Sequence, residues 1–240
     1  MKGSVGMSIN SVYLTGDIHG DIRRLLRIDD EQMTKEDIII VLGDFGVVWE
    51  ENSNRTLTLL ELLSEKNFTT AFVDGNHENF KEIKKLESIV YWNGGYVGVL
   101  PFGIIHLLRG EIYNLGGKRI GVCGGANSVD KAWRKENSSW WAEEEISEDD
   151  IKNFKVNLNN GNYRENKIDI MLSHDAPANI IPVVKLYSGI NDGAISNSQK
   201  QLDKIDQMAD ISKWYFGHWH IDTVINEKFT CLYKSIIKII

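Results

Sequence analysis

Only two of the 240 residues are cysteine, Cys123 and Cys231, and no CxxC spacing is present. That excludes a disulfide scaffold and a thiolate zinc site, and it predicts two reduced, buried thiols. Only three residues are proline, so little interrupts regular elements. No apolar run reaches the ~18 residues a membrane span requires. The start, Met1 to Asn10, lacks the charged and apolar regions of a secretory signal. A cytoplasmic protein that touches no membrane is the expectation. Internal repeats and low-complexity segments are absent as well.

Positive charge is also scarce. The formal net charge is −7. Gripping a long duplex usually needs a basic face, because counterion release drives that binding. The short clusters Arg23 to Arg27 and Lys81 to Lys85 fall in predicted helices and read as solvated faces. Extended duplex nucleic acid is therefore argued against. Small phosphorylated ligands remain open, since bound cations could supply the missing charge.

Apolar residues make up 42 % of the chain, enough for a large core. Short runs rich in β-branched residues predict buried strands at Val12 to Leu14, Ile38 to Leu42, Thr70 to Val73, Ile120 to Cys123, Ile168 to Leu172 and Trp214 to Phe216. Helical patterns lie at Ile22 to Ile28, Leu57 to Leu63, Phe80 to Leu86 and Gln199 to Met208. This alternation predicts an α/β layered fold. Between Ile89 and Val122, paired glycines and alternation such as Ile104, His106, Leu108 predict consecutive antiparallel strands. The polar stretch from Glu143 to Lys167, acidic and then Asn-rich up to Asn162, reads as a surface helix followed by a loop. The chain is expected to form one domain over 1–240, with room for a lid or insert at 126–166.

Ligand-type side chains follow five predicted strands directly. The segments are Gly16-Asp17-Ile18-His19-Gly20, Gly43-Asp44, Asp74-Gly75-Asn76-His77-Glu78, Ser173-His174-Asp175 and Gly217-His218-Trp219-His220. Five of the six histidines lie in them. Each piece alone has an ordinary reading, as a turn, a cap or a packed histidine. In an open α/β sheet, however, ligands bind beyond the carboxyl ends of strands, so the five segments can share one rim. Carboxylate, imidazole and amide oxygen suit Mn²⁺, Fe²⁺ or Zn²⁺. Asp17 with His19, and His218 with His220, are at i and i+2, so on an extended segment they project together. Asp44 is the natural bridging carboxylate. Two metals roughly 3.5–4 Å apart lower the pKa of a bridging water and neutralise phosphate oxygens.

The ordered motifs D-x-H, G-D, G-N-H-E, H and G-H-x-H, from Asp17 to His220, resemble the calcineurin-like metallophosphoesterase superfamily. The resemblance implies a four-layer α/β/β/α sandwich of two mixed β-sheets flanked by helices, with the metal site at one end. It implies that Asp17, His19 and His220 hold one ion, that Asn76, His174 and His218 hold another, and that Asp44 bridges. It gives His77 the catalytic role of protonating the leaving oxygen or contacting the phosphate. The activity implied is hydrolysis of a phosphate ester, foremost a monoester of a small molecule, nucleotide or phosphoprotein.

Within that superfamily the opening GDIHG looks like the protein Ser/Thr phosphatases and diadenosine tetraphosphatases. Their G-D-x-x-D-R-G is here Gly43-Asp44-Phe45-Gly46-Val47-Val48-Trp49, without the second Asp and the Arg. Ser173-His174-Asp175-Ala176-Pro177 resembles phosphodiesterase branches, so a phosphodiesterase acting on nucleotides or short nucleic acid is the alternative. An inactive scaffold typically lacks one or more of these residues, and all are present. Candidate phosphate contacts are Asn127, Ser128 and Arg134, in a loop that reads equally as a turn capped by Ser128 or Asp130. Trp133, Trp140 and Trp141 read as core packing in preference to a stacking surface.

Overall fold

The computed structural model describes residues 8–160, 166–190 and 193–240. The sequence readings on Met1 to Met7, on Asn162 and on part of the expected 126–166 insert therefore lie outside the described residues. In chain order the first elements are β1 (Ser11–Thr15), α1 (Arg23–Leu26), β2 (Asp37–Leu42), α2 (Asn54–Ser64), β3 (Thr69–Val73) and α3 (Phe80–Leu86). Strands β4 (Ser88–Trp92), β5 (Gly95–Val99), β6 (Ile105–Leu107), β7 (Ile112–Leu115) and β8 (Lys118–Cys123) follow. Then come α4 (Glu148–Asn159), β9 (Lys167–Ser173), α5 (Ile181–Ser188), α6 (Asn197–Met208) and β10 (Asp210–Phe216). The chain closes with β11 (Thr223–Val224), β12 (Phe229–Cys231) and β13 (Ile237–Lys238).

The strands form two sheets, ordered β13-β1-β2-β3-β6-β5-β4 and β11-β12-β10-β9-β8-β7. Each is mixed, with a parallel centre: β1, β2, β3 and β6 in the first, β8, β9, β10 and β12 in the second. Strand β2 shows why the layers stack. Ile38, Ile40 and Leu42 point into the core between the sheets, together with Val122, Ile170 and Leu172 of the other sheet. Its alternate residues Ile39 and Val41 point outward and pack with Leu25, Leu60, Leu63 and Ile83 from α1, α2 and α3. On the far side Phe154, Ile181, Leu202 and Ile205 cover the second sheet through Met171, Trp214 and Phe216. A strand buried on both faces must be apolar at every position, which is why these runs look continuous rather than alternating. The result is the α/β/β/α sandwich.

Two expectations change. The helix predicted over Ile22 to Ile28 is a single turn, α1. The Lys66 ammonium caps the carbonyls of Leu26 and Ile28 at 3.3 and 2.9 Å, and the chain leaves the helix there. The Ile89 to Val122 stretch is two antiparallel units in different sheets. The β4–β5–β6 unit joins the first sheet through the parallel β3–β6 pair, whereas β7–β8 belongs to the second. Both cysteines are buried free thiols. No helix among the described residues is long and apolar enough to cross a membrane.

Trp214 anchors the second sheet to its helices. It is fully buried, and its indole donates to Ser173 Oγ at 2.7 Å. Trp214→Ala is expected to lower stability by about 3–5 kcal/mol in equilibrium denaturation, with Trp214→Phe costing clearly less.

Candidate metal centre

All five motifs sit where parallel strands end, and the two sheets present those ends at one rim. Asp17 follows β1, Asp44 follows β2, Asn76 follows β3, His174 follows β9 and His218 follows β10. The turns are tight and strained. His19, Asp44, His218 and His220 have positive φ of 47°, 46°, 65° and 50°, four of the eight such non-glycine residues described. Side chains rarely adopt this region, and four such residues gather at one place. Asp17 with His19, and His218 with His220, were expected to project together along extended segments. Asp17 and His19 do come together, across the positive φ at His19, whereas His218 and His220 part. His220 joins Asp17 and His19, while the His218 ring meets that of His174 edge to face at 4.9 Å.

Two clusters of acceptor atoms result. In the first, His220 Nε2 lies 3.1 Å from both Asp17 Oδ2 and His19 Nε2. In the second, His174 Nε2 lies 3.1 Å from Asn76 Oδ1 and 3.3 Å from Asp44 Oδ1. Asp44 spans the two, since its other oxygen, Oδ2, is 3.8 Å from His19 Nδ1. Asp17, Asp44 and His174 also bring ligand atoms to within 4.8 Å of one another.

Surrounding bonds fix which atoms face inward. His174 Nδ1 donates to the Leu42 carbonyl at 2.8 Å, which leaves Nε2 without a proton in the neutral ring. Asn76 Nδ2 donates to Ser128 Oγ at 3.0 Å, so Oδ1 faces His174. Ser128 in turn donates to Glu144. Close backbone approach completes the cradle. A Cβ at Gly43 would collide with the His174 imidazole, and one at Gly75 with the Asp44 carboxylate.

These residues fit divalent cations. Asp17 and Asp44 are both 1 % exposed, and two buried like charges need positive charge between them. Burial works against ionisation of both Asp44 and His174. Their mutual attraction outweighs it, holding Asp44 well below the usual carboxylate range and lifting His174 to about 10. A field that holds a proton so firmly on His174 would hold a metal ion in its place.

His77 sits at the edge of the cluster. Its amide donates to Asp44 Oδ1 at 2.7 Å, and its ring meets that of His19 at 5.4 Å. Arg134 Nη2 lies 3.1 and 3.3 Å from the two ring nitrogens of His77, while Arg134 Nε pairs with Asp130 at 2.8 Å. Burial, opposed by Asp44 and reinforced by Arg134, pushes the imidazole pKa down.

The other candidates divide. Arg134 reaches the site. Ser128 is buried behind Asn76, where it orients the amide, and Asn127 beside it is half-buried. The alternative capping reading is not observed: Asp130 begins the short 3-10 turn Lys131–Trp133 without a side-chain cap, and the Ser128 hydroxyl is taken up by Asn76 and Glu144. Trp140 and Trp141 are buried, while Trp133 is exposed.

Sequence reasoning missed four supports. Glu144 is fully buried within an acidic run that reads as surface. Arg24, counted as a solvated cation, donates to Thr15 Oγ1 at 3.0 Å and to the Asp17 carbonyl at 3.2 Å. Glu78 accepts from the Phe45 and Gly46 amides at 2.7 and 3.1 Å and fixes the loop after Asp44. Burial, followed by the Asp44 charge, pushes its carboxyl up to about 8. Asp74, two residues before Asn76, is gripped by Arg109 and faces His106.

The family profile described as calcineurin-like phosphoesterase matches residues 11–222. Among solved structures, the crystal structure of TT1561 of Thermus thermophilus aligns with a TM-score of 0.52 at 11 % identity, covering 96 % of this chain and 98 % of that one. That likeness shows a shared fold. No curated protein matches the chain.

His106 makes the stability of this rim pH-dependent. Burial would lower its pKa, but the Asp74 and Glu87 carboxylates, at 3.4 and 2.8 Å, lift it from 6.5 to about 9. Between those values the folded chain keeps a proton that the unfolded chain has released. Its contribution is thus fully present below pH 6.5 and lost as pH rises through about 9. Urea denaturation across that window is expected to show falling stability, and His106→Gln is expected to flatten the decline.

Proposed function

The chain belongs to the calcineurin-like phosphoesterase family, whose general activity is metal-dependent phosphoester hydrolysis, and on that footing we propose that it is a dinuclear phosphomonoesterase. The observation that carries this reading is the pair of acceptor clusters that share Asp44. In it, Asp17, His19 and His220 hold one divalent ion and Asn76, His174 and His218 hold the other, with Mn²⁺ foremost and Fe²⁺ or Zn²⁺ as alternatives. Such ions supply Lewis acidity toward phosphate oxygens and lower the pKa of water.

The chain's own residues do the rest. Leu42 and Ser128 hold His174 and Asn76 in the orientation a ligand needs. Arg134 offers its guanidinium to the outer phosphate oxygens, a fork that suits them well. His77, steadied through its amide by Asp44, gives an N–H to the leaving oxygen or to the phosphoryl group. The substrate is a phosphorylated small molecule, a nucleotide or a phosphoprotein, met in the cytoplasm. The Ser173-His174-Asp175 segment adds little to the phosphodiesterase alternative. Ser173 Oγ donates to the Asp175 carbonyl, and the Asp175 carboxylate accepts from the Ala176 amide and the Trp219 indole, so both are spent on packing.

Hydrolysis of p-nitrophenyl phosphate against bis-p-nitrophenyl phosphate with Mn²⁺ tests the proposal. Monoester turnover is expected to dominate, and turnover of the diester alone would overturn it. Asp44→Ala is expected to abolish both Mn²⁺ uptake and turnover. His77→Ala is expected to keep the metal and slow the reaction by ~10²–10⁴-fold; full activity in that variant would remove His77 from the chemistry.

A further inference from the structure

A pocket of about 300 Å³ opens beside the metal centre, and His19 and His77 line both. Its wall is apolar. Val47 and Trp49 come from the loop after β2, and Leu59 from α2. Its charged groups, Arg55 and Glu50, are exposed and lie 3.8 Å apart, so they stand at the rim rather than on the floor.

The wall is held rigidly. Thr56 Oγ1 donates to the Val47 carbonyl at 3.2 Å, and Asn79 Nδ2 donates to the Trp49 carbonyl at 2.6 Å. The Trp49 ring stands edge-on to Trp141 at 5.8 Å, yet 37 % of the residue is left open to solvent. Gly20 and Gly46 meet backbone to backbone between the loops, so no side chain screens the pocket from His19. The loop that supplies Val47 and Trp49 is also the one whose expected Asp and Arg are missing. At those two positions this chain carries Val47 and Val48, both buried, and the open apolar surface of the loop is that of Trp49.

We infer that this pocket receives the leaving group, and that the favoured substrates are phosphate esters whose leaving group carries an aromatic ring. The inference rests on the phosphoesterase reading above. A leaving oxygen served by His77 points its substituent away from the metals and onto the wall beside that histidine. A flat ring there covers the open parts of Trp49 and Leu59 without burying a charge, and the volume, at the lower end of ligand pockets, suits one ring system better than a folded peptide loop. A short alkyl alcohol would leave the wall wet.

Benzyl phosphate and ethyl phosphate have leaving alcohols of similar acidity, so their comparison isolates the pocket from bond reactivity. With the Mn²⁺-loaded full chain, kcat/KM for benzyl phosphate is expected to exceed that for ethyl phosphate by at least about tenfold. Calorimetry, which needs no turnover, is expected to show benzylphosphonate binding about tenfold more tightly than ethylphosphonate. Trp49→Ala and, separately, Leu59→Ala are expected to draw both ratios toward one; the wild-type ratios stand even if a variant fails to fold. Equal ratios in the wild-type protein, with both esters hydrolysed, would overturn the pocket assignment and leave the phosphoesterase reading intact. Failure to hydrolyse either ester or p-nitrophenyl phosphate would overturn the phosphomonoesterase reading, and this inference with it.

Discussion

The Asp44 carboxylate is the constraint around which the rim is arranged. One of its oxygens faces His174 and the other faces His19, while Asp17 brings a second buried carboxylate close by. Negative charge this deep is costly unless positive charge answers it. The chain nevertheless accepts left-handed backbone at Asp44 and places Gly43 and Gly75 on either side, where any Cβ would collide with the cluster. Such features oppose folding locally. They persist because the surrounding sandwich is rigid enough to impose them.

That rigidity comes from layering. Parallel centres in both sheets align strand ends at one rim, and burial on both faces of β2 leaves it no freedom to shift register. From this base, short loops carry the ligand-type residues, and a further ring of bonds aims them. The Glu144–Ser128–Asn76 chain and the Leu42–His174 bond each settle which atom points inward. Asp74 and Arg109 pin the segment before Asn76, and Glu78 pins the loop after Asp44. Disturbing these supports would act on the centre without removing a single ligand-type group.

Much of this was legible in the sequence. Strand positions followed from β-branched runs, and the seven ligand candidates followed from motifs placed directly after them. What escaped were features set by tertiary contact. Ile22 and Leu25 look like a helical stripe because both are buried, yet Lys66, some forty residues away, ends the helix after one turn. The division of β4 to β8 between two sheets depends on β6 pairing with β3, which no local pattern encodes. Glu144 lies within an acidic run and is set apart by its buried surroundings, where Ser128 and the Trp141 amide donate to it. Ser128 drew notice as a small polar loop residue, and its hydroxyl bonds Asn76 and Glu144. The His-x-His and Asp-x-His spacings suggested shared projection, but positive φ sends His218 and His220 to different clusters, and only Asp17 and His19 stay together.

Anomalous diffraction from crystals grown with Mn²⁺ would test the central claim most directly. The account predicts two peaks per chain flanking the Asp44 carboxylate, one bounded by Asp17, His19 and His220, the other by Asn76, His174 and His218. Well-ordered crystals with no peak beside Asp44, or with manganese bound only elsewhere on the surface, would contradict it.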